Sequence, residues 1–240
     1  MPVLGLLARA PWARLGEHLL AAETLQALRL SLLTSAGATL LDLCLGLPLA
    51  VWLAGPRTTG RALARALLLL PMVLPPVVGG VALLLAYGRR GLVGGPLHEV
   101  FGVGIPFTWA AVVLAQAYMA LPFLVFAVEA GVRAVDPRLL EAADTLGAGP
   151  AFRFRRVTLP LVAPALLAGL ITCWARALGE FGATITFAGS LAGETRTLPL
   201  AVYLALETDP DAAMALSLVL VGLALVLLVL LRRRWLPGVA

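Results

Sequence analysis

Apolar residues recur along this chain in runs far longer than one face of a soluble helix requires. Five stretches approach the roughly 20 mostly apolar residues that a helix needs to cross the hydrocarbon core of a bilayer: residues 30–54, 66–87, 108–128, 161–178 and 212–231. Charged and turn-forming residues cluster between them. Residues 1–26 differ, because Arg9, Arg14, Glu17, His18 and Glu23 interrupt their leucines and alanines. That pattern predicts an amphipathic segment lying on the membrane, and it leaves no clean apolar region for a signal peptide. A sixth crossing there stays open. Residues 27–231 then form one transmembrane domain, and 232–240 form a tail.

Composition agrees with the pattern. Of the 240 residues, 61% are hydrophobic and 13% charged, against roughly 45–50% and about 25% in a soluble domain; the mean hydropathy is +0.98. An all-α polytopic membrane protein is the fold class that follows, and disorder or a disulfide scaffold is excluded. Cys44 and Cys173 both sit in apolar runs without paired metal or redox spacing. All 18 basic residues are arginine, and the net charge is +5. In a membrane protein this reads as basic loops held on the cytoplasmic side and not as a nucleic-acid surface. Eleven of the arginines lie after the first, third and fifth runs: Arg57, Arg61 and Arg65; Arg133, Arg138, Arg153, Arg155 and Arg156; Arg232 to Arg234. Their placement predicts an outside N-terminus and a cytoplasmic C-terminus, with Arg9, Arg14 and Arg29 pulling mildly the other way.

Two runs are not plain helices. Residues 70–80 hold Pro71, Pro75 and Pro76. Each proline removes a backbone donor and crowds the preceding turn, and unsatisfied carbonyls are not tolerated in lipid. A break at Pro75-Pro76 that faces other helices or a pathway is expected; the alternative is a merely kinked packing helix. After the fourth run, Arg176 and Glu180 stand four apart, so they share a helix face and can pair. Ionisable groups at membrane depth are functional candidates, unless both lie at the interface and reach water. Asp42, inside the first run, should be paired or turned away from any anion pathway.

The loop of residues 129–160 carries the most specific pattern. Asp136-Pro137 supplies a helix cap and a first-turn proline. Leu139, Ala142, Ala143 and Leu146 follow at helical spacing, and Gly147 and Gly149-Pro150 close the element. A short amphipathic helix parallel to the membrane results, its apolar stripe in need of a cover of either lipid headgroups or a cytoplasmic protein.

Glu141-Ala142-Ala143, then Gly147 after three residues, Val157 after nine more, and Leu159-Pro160 resemble the cytoplasmic loop signature of bacterial ABC importer permeases, with valine for the usual isoleucine. Ala175–Ile185, including Gly179, Glu180, Phe181, Gly182 and Thr184, is similar to permeases for tetrahedral oxyanions. Leu74–Val78 with Gly88–Gly91, and Gly193–Tyr203, are more similar to the molybdate/tungstate branch. The resemblance implies a type I importer fold in which Glu141, Ala142, Ala143, Leu146, Gly147, Val157, Leu159 and Pro160 couple the permease to an ATPase. It also implies a homodimer, two ATP-binding subunits that hold ATP and Mg, and an extracytoplasmic oxyanion-binding protein. Pro75, Pro76, Arg176, Gly179, Glu180, Phe181, Gly182, Thr184 and Thr186 are the expected lining of the translocation pathway.

The chain has no phosphate-cradling glycine loop of its own, and His18 and His98 stand alone in the sequence. It is therefore expected to be a non-catalytic subunit with no bound cofactor or metal. Two other readings stay open: the same machinery carrying sulfate or thiosulfate, and a secondary transporter. The latter usually shows an inverted repeat, which is not evident here.

Overall fold

The computed structural model describes residues 2–235, with side chains through residue 229; Met1 and residues 236–240, the end of the expected tail, lie outside the described residues. Every regular element among the described residues is helical: α1 (Pro2–Arg9), α2 (Leu15–Leu20), α3 (Ala22–Leu53), α4 (Thr59–Val73), α5 (Pro76–Tyr87), α6 (Gly94–Phe101), α7 (Trp109–Arg133), α8 (Pro137–Thr145), α9 (Pro150–Arg153), α10 (Leu159–Leu178), α11 (Gly182–Phe187), α12 (Leu198–Thr208) and α13 (Pro210–Trp235). A π turn, Phe154–Thr158, joins α9 to α10. Four helical stretches are long and apolar enough to cross a membrane: α3, α7, the continuous Pro150–Leu178, and Pro210–Val229. The pair α4–α5 makes a fifth candidate, bent by 118° at its break.

Two boundaries differ from the hydrophobic runs. Helix α3 starts at Ala22, eight residues before its apolar run, so residues 22–26 belong to the long helix and not to a separate surface segment. The fourth helix reaches back to Pro150 because α9 and the π turn carry it through Arg153–Arg156 without a stop. The reason lies at Pro160. Its ring crowds the carbonyl four residues earlier and it offers no donor. The chain widens by one residue instead of breaking, and Leu159 N–H bonds to Phe154 O, five residues back.

Helix α3 is packed with its small and polar side in. Along α3 the buried positions include Thr24, Ala27, Ser31, Thr34, Ser35, Ala38, Asp42, Gly46 and Ala50, a stripe at helical spacing made of small and polar residues. Leu33, Leu40 and Leu45 are exposed. Lipid tails are as apolar as leucine, so helix association in a membrane rests on close approach and hydrogen bonds. The contacts follow that rule. Trp174 Nε1 donates to Ser35 Oγ at 2.9 Å, and Leu198 N donates to Ser31 Oγ at 2.6 Å; such bonds contribute about 0.6 kcal/mol each on average.

Helix α7 is the centre, with α3 and α10 against it. Gly46 of α3 lies against Leu121, Leu124 and Val125, and Gly169 of α10 against Leu124 and Ala127. The N-terminal helices fold onto the start of α13: Arg14 stands 3.8 Å from Asp211, and His18 Nδ1 stands 3.9 Å from Asp209. Arg14 also hydrogen-bonds Glu17 and holds its carboxyl below the ordinary range.

Candidate functional site

Helix α8 forms as its sequence requires. Asp136 is the cap, its carboxylate accepting from Arg138 N at 2.9 Å, and Pro137 occupies the first turn. Gly147 ends the element in the left-handed region, at φ 79°. Asp144 pairs with Arg153 of α9 at 2.5 Å and closes the elbow between the two short helices. The stripe divides: Ala143 is buried, while Glu141 and Ala142 are exposed, Leu139 is 48% exposed and Leu146 88%. Val157, Leu159 and Pro160 are not on α8. They sit on the π turn and the first turn of α10, where Val157 and Leu159 are half-buried and Pro160 is exposed. This segment touches α8 and α9, so the motif spans one helix and the foot on which it rests.

The broken span gathers the second group. Leu74 precedes a proline and is therefore restricted to extended backbone; it has ψ 143° and Pro75 ψ 133°, and the chain turns there. Two glycines let α5 and α11 touch beyond the break. A Cβ on Gly182 would stand 2.7 Å from Pro76 Cβ, and one on Gly80 would stand 2.8 Å from Ala183 O and 2.7 Å from Thr186 Cβ. Pro76, Gly182 and Thr186 are thus brought to one place, with Pro75 and Pro76 exposed and Gly182 buried. Thr186 Oγ1 donates to Gly182 O at 2.9 Å, while the wholly buried Thr184 hydroxyl has no hydrogen-bond partner among the described residues.

Arg176 and Glu180 pair at 2.5 Å, the carboxylate 1% exposed and the guanidinium side chain 26%. The pair is thus buried on its carboxylate side and partly open on its guanidinium side. The other oxygen of Glu180 accepts from Ala183 N at 2.9 Å and caps α11. Phe181 packs its ring on Tyr203, centroids 5.2 Å apart, and Gly179 ends α10 on an exposed face. Arg176 borders a cavity of about 620 Å³ between α7, α10 and α13, with Phe123, Thr172 and Leu220 on its wall.

Two polar clusters were not assembled from the sequence. Asp42 is buried, and its partner is a neutral thiol: Cys173 Sγ donates to Asp42 Oδ2 at 3.2 Å. Glu129, in the last two turns of α7, takes both Arg65 of α4 and, at 2.9 Å, Arg133 on one oxygen, and Arg133 donates onward to Leu53 O at 2.9 Å. The one local signal was the i,i+4 spacing of Glu129 and Arg133. Among the described residues no group of three or more His, Cys, Asp or Glu side chains is placed to hold a metal ion.

Residues 46–237 match the family model described as binding-protein-dependent transport system inner membrane component. The chain is 49% identical over 215 residues to the molybdenum transport system permease protein ModB of Mycobacterium tuberculosis, covering 89% of this chain and 80% of that one. It is 45% identical over 183 residues to the protein of the same name in Escherichia coli, covering 76% and 80%. In fold it resembles a bacterial ABC transporter chain involved in the import of the acidic polysaccharide alginate (TM-score 0.76, 17% identity, 99% of this chain and 90% of that one). A second structure of a bacterial alginate ABC transporter, in complex with an alginate pentasaccharide-bound periplasmic protein, gives a TM-score of 0.75 at 18% identity, covering 96% and 85%. With most of its length matched by the family model and two relatives near half identity, the chain belongs to the family of binding-protein-dependent transport-system inner-membrane components.

Proposed function

We propose that this chain is the membrane-spanning permease subunit of an ATP-driven importer whose cargo is molybdate or tungstate. The observation that carries the cargo is the 45–49% identity to relatives named as molybdenum transport permeases. The observation that carries the coupling is the capped helix α8, which leaves Leu139 and Leu146 exposed at the foot of the bundle. Unpartnered apolar residues on an otherwise charged short helix fit a groove of a separate ATPase, the subunit that holds ATP and Mg. Burying them there uses a surface this chain leaves open.

The remaining assembly follows the same logic. Val73, Val77 and Val78 are exposed around the break in the second span, which fits a second copy across a shared pathway, giving two permeases and two ATPases. An extracytoplasmic binding protein delivers the anion. The ends of α3 and α7 and the start of α4 are tied together through Arg65, Arg133 and Leu53, and this arginine-rich end is assigned to the cytoplasm. The N-terminus and the start of α13 then lie outside.

Selectivity belongs mainly to the binding protein. Arg176, the arginine at the expected pathway, already has its charge matched by Glu180, so the passage offers hydroxyls and backbone near Gly182 instead of a cationic cage. Weak interaction suits a path that must release its anion. The test is ATP-dependent uptake of radiolabelled molybdate into proteoliposomes holding permease, ATPase and binding protein. Competition by tungstate but not by excess sulfate is expected. Sulfate uptake would move the cargo to the sulfate class, and uptake driven by an ion gradient without ATP would overturn the proposal.

A further inference from the structure

We propose that Glu129, held between Arg65 and Arg133, is the positioning residue through which movement of α8 reaches the broken span. The inference rests on α8 being the ATPase-docking element. Helix α8 hangs from α7 by the short turn at residues 134–136, in which Ala134 N bonds to Ala130 O at 3.1 Å. Displacing α8 therefore moves the end of α7 first. There the Glu129 side chain is 7% exposed and a single carboxylate oxygen receives both guanidinium groups. Glu129 thus ties the foot of α4 to the end of α7, and Arg133 extends the tie to Leu53 O at the end of α3.

Helix α4 is built to follow that tie. Arg61 fixes its corner by donating to Trp52 O and Pro56 O, both at 2.7 Å. Farther along, Ala64 and Leu68 face the core, while Leu67, Leu70 and Val73 are exposed. The helix is a lever fastened at its foot, with an open flank, ending at Pro75-Pro76. A packed leucine in place of Arg65 would let the lever slide. The Arg65–Glu129 pair keeps α4 in register with α7, because sliding them apart removes one of the two guanidinium groups that match a buried carboxylate. Beyond the break, Gly80 and Gly182 hold α5 against α11 without a gap, so rotation of α4 is delivered to the Pro76–Gly182 contact.

The experiment measures ATP hydrolysed per molybdate imported in proteoliposomes containing the complete complex. For Glu129→Gln, uptake is expected to fall about tenfold, the scale of a typical coupling free energy, while hydrolysis falls much less, so the ratio rises. Glu129→Asp should restore most of the ratio. Arg65→Gln, which leaves Glu129 its Arg133 partner, should raise the ratio in the same direction and serves if Glu129→Gln does not fold. Uptake and hydrolysis falling in step, or neither falling, would overturn the proposal. Leu146→Asp is the control for the underlying reading: a variant that keeps its ATPase and a normal ratio removes the docking role of α8, whatever Glu129 does.

Discussion

Arg176 Nη1 lies 2.5 Å from Glu180 Oε2, one turn apart at the point where α10 ends and α11 begins. The same carboxylate caps α11 through Ala183 N, so one side chain matches a charge and closes a helix end. Glu180→Ala loses both functions and leaves Arg176 without its partner; a stability loss of about 3 kcal/mol is expected, the scale for breaking a buried pair. Glu180→Gln keeps an oxygen for Ala183 N and should lose less. Unfolding free energies of the two variants in detergent check this, and equal losses would mean that the cap contributes nothing.

Asp42 and Cys173 make a second, separable case. The buried carboxylate has a thiol donor at 3.2 Å and no cation in contact among the described residues. Removing the donor by Cys173→Ala should destabilise the protein by about 1–3 kcal/mol, the cost of leaving a buried acceptor unsatisfied. Asp42→Asn, which replaces the carboxyl group with a neutral amide, should cost less than Cys173→Ala or even stabilise. In the double variant the Cys173→Ala penalty should shrink, since residues in contact do not act additively. A full Cys173→Ala penalty in the presence of Asp42→Asn would show that the thiol acts through packing alone.

How much of this was readable beforehand depends on the distance along the chain over which each contact acts. The break at Pro75-Pro76, the Asp136 cap, the Gly147 stop and the Arg176–Glu180 pair are all local, so residue type and spacing within a few positions announce them. Arg65 and Glu129 are 64 residues apart, Asp42 and Cys173 131, and Ser31 and Leu198 167. The i,i+4 spacing points to Arg133, but nothing in the neighbourhood of Glu129 specifies that Arg65 reaches it. The backward extension of α10 was hidden for a different reason: Arg153–Arg156 are polar and read as loop, whereas the π turn lets the helix run through them. Helix α12, Leu198–Thr208, is too short to stand out as a membrane-length apolar run, so only the final run of residues 212–231, which falls within α13, was marked.

Gly147 and Gly149 give a contrast in backbone physics. A Cβ at either position would meet nothing within 4 Å, so space does not distinguish them. Gly147 has φ 79° and Gly149 φ −64°. Gly147→Ala should cost about 1–2 kcal/mol in the left-handed conformation and alter the exit of α8, lowering ATP-driven uptake. Gly149→Ala should leave uptake within twofold, by the same rule that restricts only positive φ. Parallel uptake assays on the two variants decide it, and equal effects would remove the conformational explanation.

The docking of α8 is tested most directly by its own exposed leucines. Leu139→Asp with Leu146→Asp changes two solvent-facing side chains, and exposed substitutions of this kind alter stability by roughly 0.5 kcal/mol or less. The double variant should therefore be recovered folded in the membrane, yet should retain far less of a co-expressed ATPase subunit than the unmodified permease does. ATP-driven molybdate uptake should fall to the level seen without ATP. Recovery of the ATPase in the usual amount, with uptake intact, would contradict the account.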